Sequence, residues 1–153
     1  MNTDSPITRI YLDACCINRP FDDQSQARIR LESEAIEHVL RAVEEGVVAW
    51  VSSEAVLFEV SKCPDASRRE ALLAICGKAG SVVRVDETLV HRAKEIQAKG
   101  FQALDSLHLA CAEAAADVFL TTDDRIVSAA RRLGIPAGIR VQNPVQFIEE
   151  VLI

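Results

Sequence analysis

Five short apolar runs alternate with segments of helical periodicity, and this alternation restricts the fold more than any other feature of the chain. The runs are TRIYL at 8–12, VVAWV at 47–51, SVVRV at 81–85, DVFLT at 117–121 and GIRV at 138–141. Each has strand length and most are rich in β-branched or aromatic residues, so each predicts a strand. A long helix is predicted at about 25–45, with Ile29, Ile36, Leu40 and Val43 at helical spacing and an end before Gly46. Further helices are predicted at about 53–61, capped by Ser52 or Ser53, at about 65–77, and at about 87–98, capped by Asp86. Three more are predicted at about 103–116, at about 124–133 ending at Gly134, and at about 144–151 opening on Pro144. Residues 14–24 read as a polar loop. Apolar strands alternating with amphipathic helices predict an α/β fold: a mainly parallel sheet of about five short strands, covered by helices on both faces.

No linker, repeat or low-complexity stretch divides the 153 residues, which predicts a single domain over 1–153. With 49% hydrophobic and 26% charged residues, general disorder is excluded. The net charge of −6 argues against a protein that coats nucleic acid by bulk charge, but not against an enzyme that engages it locally. No apolar run approaches the ~18 residues of a bilayer span. The opening MNTDSPITRIYLD lacks the basic-then-apolar pattern of a leader. Cys15, Cys16, Cys63, Cys76 and Cys111 are odd in number and form no C-x-x-C pair. That speaks against a zinc site or a disulfide framework and for reduced thiols in a cytoplasm.

In parallel sheets, ligands bind at the carboxyl ends of the strands. Asp13 follows the first run, and Asp123 and Asp124 follow the fourth. Glu59 lies in AVLFEVS, one and a half to two turns into its helix, and Asp105 lies in FQALDSLHLACA near the start of another. Taken singly, each acid has an ordinary explanation as a helix cap, a first-turn acid or a solvated side chain. Glu59 and Asp105, however, have apolar neighbours, and a buried acid is costly unless paired, protonated or metal-bound. Four converging carboxylates repel one another without a cation, and oxygen-only ligands suit Mg²⁺ or Mn²⁺.

Four segments, IYLDACCIN at 10–18, VSSEAVLFEVSK at 51–62, ALDSLHLACA at 103–112 and FLTTDDRIVSAA at 119–130, occur in this order and spacing. Through them the chain resembles the PIN-domain ribonucleases, most closely the VapC-type toxins of bacterial and archaeal toxin–antitoxin pairs, from about Ile7 to Phe147. The resemblance implies a PIN-like three-layer α/β/α sandwich and a metal-dependent endoribonuclease that hydrolyses RNA phosphodiester bonds, leaving a 5′-phosphate and a 3′-hydroxyl. It carries the family's acidic cluster onto Asp13, Glu59, Asp105 and Asp123 as catalytic and metal-binding residues. Asp13 and Asp105 then resemble the central ligands, and Glu59 acts directly or through water. Asp124 serves either as a secondary acid or as a helix cap. Glu54 is excluded as the second acid, since five residues place it about 140° around the helix from Glu59. The resemblance also implies a homodimer and a cognate antitoxin, and the segment 65–77 offers apolar residues for such a surface or for the core.

Asn18 matches a polar position of the family's first loop, and Ser106, Thr121 and Thr122 serve either to orient carboxylates or as caps. Cys15 and Cys16 receive no role. Arg19, Arg28, Arg30, Lys62 and Arg125 serve either as phosphate contacts or as ordinary solvated charges. His108, at i+3 from Asp105, reads as a packed or hydrogen-bonded helix residue, and no histidine is needed as a base. Competing readings are an RNA-processing nuclease without antitoxin, a non-catalytic RNA-binding module, and a phosphoryl-transfer hydrolase with Asp13 as nucleophile. The last lacks a second acid at position 15.

Overall fold

Strand β1 (Thr8–Leu12) runs through the middle of a five-stranded sheet in the computed structural model, which describes residues 6–152. The others are β2 (Val48–Ser53), β3 (Ser81–Val83), β4 (Val118–Leu120) and β5 (Arg140–Gln142), in the order β3-β2-β1-β4-β5. All four pairings are parallel, with Ile10 opposite Trp50 and Val118, Ser53 opposite Val83, and Phe119 opposite both Tyr11 and Val141. The helices are α1 (Ala14–Asn18), α2 (Ala27–Glu44), α3 (Glu54–Ser61), α4 (Ala66–Cys76), α5 (Glu87–Gln97), α6 (Ala103–Ala115), α7 (Asp124–Leu133) and α8 (Pro144–Phe147). α2 packs against β2, α6 against β1, β2 and β4, and α7 against β5, and the right-handed crossovers usual for parallel strands in this order place helices on both faces, giving the α/β/α sandwich. Residues 1–5 and 153, which begin and end the single domain expected over 1–153 and include the start of the stretch read for a leader, lie outside the described residues. Among the described residues, no helix is long and apolar enough to cross a membrane.

The core is the sheet itself: Ile10, Tyr11, Leu12, Val118, Phe119 and Leu120 have no exposed surface. Burying a side chain such as Phe119 contributes roughly 2 kcal/mol. Tyr11 and Phe119 stack across the β1–β4 pair with ring centroids 5.5 Å apart. The strand order reverses between β1 and β4, and at such a reversal the connections leave in opposite directions and open a crevice at the carboxyl ends.

Several boundaries differ from expectation for identifiable reasons. The segment 14–24 is not a loop at its start: α1 and a 3-10 turn at Arg19–Phe21 occupy it, because Ala14, Cys16 and Ile17 turn into the core. The buried stripe of α2 is Glu32, Ala35, Ile36, Val39 and Ala42, so Ile29, Leu40 and Val43 flank it half-buried. β2 extends to Ser53, which leaves Ser53 as the cap of α3 through a bond from the Val56 N–H at 3.1 Å. From Pro144 only four residues, Pro144–Phe147, are α-helical, and a π-helical turn at Ile148–Leu152 follows. Gly134 ends α7 at φ +64°, in the left-handed region where glycine avoids the Cβ penalty.

Candidate metal centre

Asp13 continues the β1–β4 pairing one residue beyond the strand, its N–H donating to the Leu120 carbonyl at 3.0 Å. Its backbone is extended and precedes α1, but its side chain makes no capping bond. The carboxylate is therefore aimed into the crevice at the strand reversal. Thr121 Oγ1 donates to Asp13 Oδ2 at 2.8 Å, and Cys15 Sγ lies 3.4 Å from the same oxygen. Burial pushes the Asp13 carboxyl above its ordinary value. His108 and the Thr121 hydroxyl counter that shift, and the Glu59 charge adds to it.

Glu59 enters from α3, opposite Asp13. Its Oε1 meets His108 Nε2 at 2.8 Å. The other ring nitrogen, Nδ1, lies 2.7 Å from the Tyr11 hydroxyl, which in turn lies 2.6 Å from Ser53 Oγ. Asp13, Glu59 and His108 offer ligand atoms that all fall within 4.8 Å of one another. Burial opposes the charged imidazole of His108, but the Glu59 bond and the carboxylates of Asp13, Glu59 and Asp105 together raise its pKa. Since both ring nitrogens are engaged within the protein, the donors left for a cation are carboxylate oxygens.

Asp105, in the first turn of α6, is half-buried. Its carboxyl is pushed up to about 6, first by burial and then by the charges of Asp13, Asp123 and Glu59, against a lowering by His108. Asp123 takes the capping role considered for an acid at that position. It caps α7, Oδ1 accepting from the Arg125 N–H at 2.9 Å, and its charge is felt by Asp105. The Asp13 and Glu59 oxygens, with the half-buried Asp105 carboxyl raised to about 6 chiefly by burial, offer the oxygen donors that suit a hard divalent cation such as Mg²⁺ or Mn²⁺.

The remaining polar residues separate cleanly. Asp124 pairs with Arg28 while lining the same cleft as Asp105 and Asp123, and Glu54 Oε1 accepts from the Val85 N–H at 2.7 Å. Ser106 donates back to the Gln102 carbonyl, and Asn18 anchors Arg68 of α4 through Oδ1. Of the residues considered for orienting carboxylates, Thr121 bonds an acid of the cluster; the Thr122 N–H instead meets Cys15 Sγ at 3.4 Å. Arg19 and Arg28 are committed to the buried Glu32 at 2.8 and 3.2 Å, and Arg30 to the carbonyls of Gln24 and Ser25. Arg125, 85% exposed, stands at a cleft beside Asp105 and Asp123 that also includes Ser128 and Arg132. A second cleft on the Glu59 side holds Asn18, Lys62 and Arg68. The sequence reading missed the part played by Tyr11 and Ser53, and the contact of His108 with Glu59. The one available signal was that His108 shares a helix face with Asp105.

Residues 10–132 match the family described as PIN domain. No curated protein matches the chain. Among solved structures, the fold is similar to that of FitAcB from Neisseria gonorrhoeae, with a TM-score of 0.58 and 19% identity over 88% of this chain and 97% of that one. It is similar to FitAB bound to an IR36 DNA fragment, with a TM-score of 0.54 and 19% identity over 89% and 95%. It is also similar to VapBC2 from Rickettsia felis bound to a DNA fragment from their promoter, with a TM-score of 0.54 and 14% identity over 89% and 98%. At these identities the likeness is one of fold.

Proposed function

The chain belongs to the PIN-domain family, and from that premise we propose that it is a Mg²⁺- or Mn²⁺-dependent endoribonuclease, the toxin of a type II toxin–antitoxin pair. The observation that supports the reading is that Asp13 and Glu59 bring ligand atoms within 4.8 Å of each other beyond β1, while Asp105, which shares a cleft with Asp123, is raised by burial and further by the charges of Asp13, Asp123 and Glu59. In this reading Asp13 and Asp105 hold the ion, Glu59 joins directly or through water, and Asp123 is the fourth acid. What a divalent ion supplies when bound is acidification of water near neutral pH and neutralisation of charge at a phosphate. Thr121 fixes one oxygen of Asp13, so that its other oxygen is free for the ion. Arg125 and Lys62, uncommitted to buried acids, are the phosphate contacts, and salt weakens them. The target is RNA, cut to a 5′-phosphate and a 3′-hydroxyl.

A cognate antitoxin and a homodimer are part of the same proposal. Support comes from the resemblance to VapC-type toxins and from the fold shared with FitAB and VapBC2. A cytoplasmic setting accords with five free cysteines. The test is cleavage of total cellular RNA, and of single-stranded DNA, by purified protein freed of partners, in EDTA, Mg²⁺ or Mn²⁺, beside Asp13→Asn. RNA cutting that needs the metal and disappears in the variant is expected. Cutting that persists in EDTA or in the variant overturns the mechanism, and no cutting with any metal favours an RNA-binding module.

A further inference from the structure

We propose that Ser53, Tyr11 and His108 form a buried positioning chain that fixes the Glu59 carboxylate within the acidic cluster. The inference rests on that cluster being a cation site, as proposed above, and concerns residues that do not themselves hold the ion.

With His108 as the neutral Nε2–H tautomer, the donors and acceptors form one consistent series. The Val56 N–H donates to Ser53 Oγ at 3.1 Å, and the Ser53 hydroxyl donates to Tyr11 Oη at 2.6 Å. The Tyr11 proton then goes to His108 Nδ1 at 2.7 Å, and His108 Nε2–H donates to Glu59 Oε1 at 2.8 Å. An ionised carboxylate only accepts, and here every proton in the series finds one acceptor. The chain begins at the N-cap of α3 and ends on Glu59 of the same helix, having passed through β2, β1 and α6. It is therefore a closed loop across four elements of the core.

The two ends of this loop differ in mobility. Ser53, Tyr11 and His108 are buried with 0% exposure, and Tyr11 is clamped by stacking on Phe119. The Glu59 side chain is 37% exposed and has no bond from its own helix to hold it. A flexible carboxylate at the rim of the crevice is thus tethered by one oxygen to a rigid interior group. The second oxygen, Oε2, makes no hydrogen bond to the described residues. Outer partners that orient a ligand in this way typically change metal affinity by about 10- to 100-fold when removed. A direct ligand role for His108 would require breaking one of two bonds at 2.7 and 2.8 Å.

The test is Mn²⁺ binding to the metal-free protein, followed by calorimetry or by the electron paramagnetic resonance signal of the free ion. The proteins are wild type, Tyr11→Phe, His108→Leu, His108→Gln, Glu59→Gln and the double variants of Glu59→Gln with Tyr11→Phe or His108→Leu. His108→Leu is expected to weaken binding about 10-fold or more. Tyr11→Phe, which keeps the stacked ring and touches no ligand, weakens it less, and His108→Gln recovers part of the loss. In the Glu59→Gln background neither further change has an effect. In cleavage assays, the metal concentration for half-maximal rate rises while the rate at saturating metal changes less. Equal losses with and without Glu59 mean a general structural role and overturn the proposal, as does undiminished binding in both Tyr11→Phe and His108→Leu. Absence of Mn²⁺ binding by wild type instead removes the cation-site reading itself, and the proposal with it.

Discussion

Arg28 closes its guanidinium onto Asp124, with Nη1 2.7 Å from Oδ2 and Nη2 2.8 Å from Oδ1. The pair is exposed, so its contribution to stability is within about 1 kcal/mol and is screened by salt. Asp124→Asn is expected to leave metal affinity and cleavage near wild type, with a small loss of urea resistance that fades in high salt. Asp123→Asn removes the neighbouring charge while keeping a good capping side chain. It should keep its stability and lose about 10-fold or more in metal affinity. Urea melts and metal-titrated cleavage of the two variants distinguish these outcomes, and the reverse order would assign the fourth acid to Asp124.

Asp105 makes metal-free stability depend on pH. Its folded value of about 6 lies above the ordinary carboxylate value of 3.8, so the native state binds the proton more tightly than the unfolded chain does. Stability then falls as pH rises from about 4 to about 6, where only the native group is still losing its proton. Because the group is only half-buried, solvent screening limits the effect to about 1 kcal/mol. Asp105→Asn should therefore be more stable than wild type at pH 7 without metal, with the difference gone near pH 4. Adding Mn²⁺ should raise the Tm of wild type more than that of the variant, since the ion binds the charged form. Thermal melts across pH, with and without Mn²⁺, check both signs.

Glu54 and Glu59 sit five residues apart in one helix and do different things. Glu54→Gln weakens the bond that holds the Val85 N–H, which should cost up to about 1 kcal/mol and leave cleavage intact. Glu59→Gln should lose cleavage and metal affinity with little change in Tm. Parallel melts and cleavage assays of the two variants decide which acid belongs to the centre.

The Glu32 carboxylate is buried among Arg19 Nε, Arg28 Nε and Asn143 Nδ2, at 2.8, 3.2 and 2.6 Å. Removing it strands the part-buried Arg19 guanidinium and the Asn143 amide donor. Glu32→Ala is expected to cost about 3 kcal/mol or more, read as a shift in the urea midpoint. Because Arg28 also reaches the Thr122 carbonyl, this loss should loosen the Thr121–Asp123 segment and lower cleavage as well.

The strands and their parallel direction were legible because strand-end chemistry is local. A short apolar run followed by an acid says where a strand stops, as at Asp13. Boundaries failed where burial overrode polarity. The series Cys15–Cys16–Ile17–Asn18 follows a strand and carries polar neighbours, yet its Cys16 and Ile17 pack inward and wind the segment into α1. Glu32 reads in sequence as one of many solvated helix acids, and only its partners from residues 19 and 143 explain its burial. The link from Tyr11 to His108 spans 97 residues, and no periodicity along either element encodes it.

Thr121 and Asp13, bonded across the centre, are 108 residues apart in the chain. A ribosome adding ~5–20 residues per second needs about 5–20 s to make that interval. Throughout it the emerging chain carries its first acid without the last. β1 meanwhile waits with one edge unfilled, since β4 is made after β3 but lies beside β1. A nascent chain therefore holds only fragments of the centre, and truncation anywhere before β4 yields a product without it. The order of strands in the sheet thus sets a moment in synthesis, the making of β4, before which these acids cannot come together.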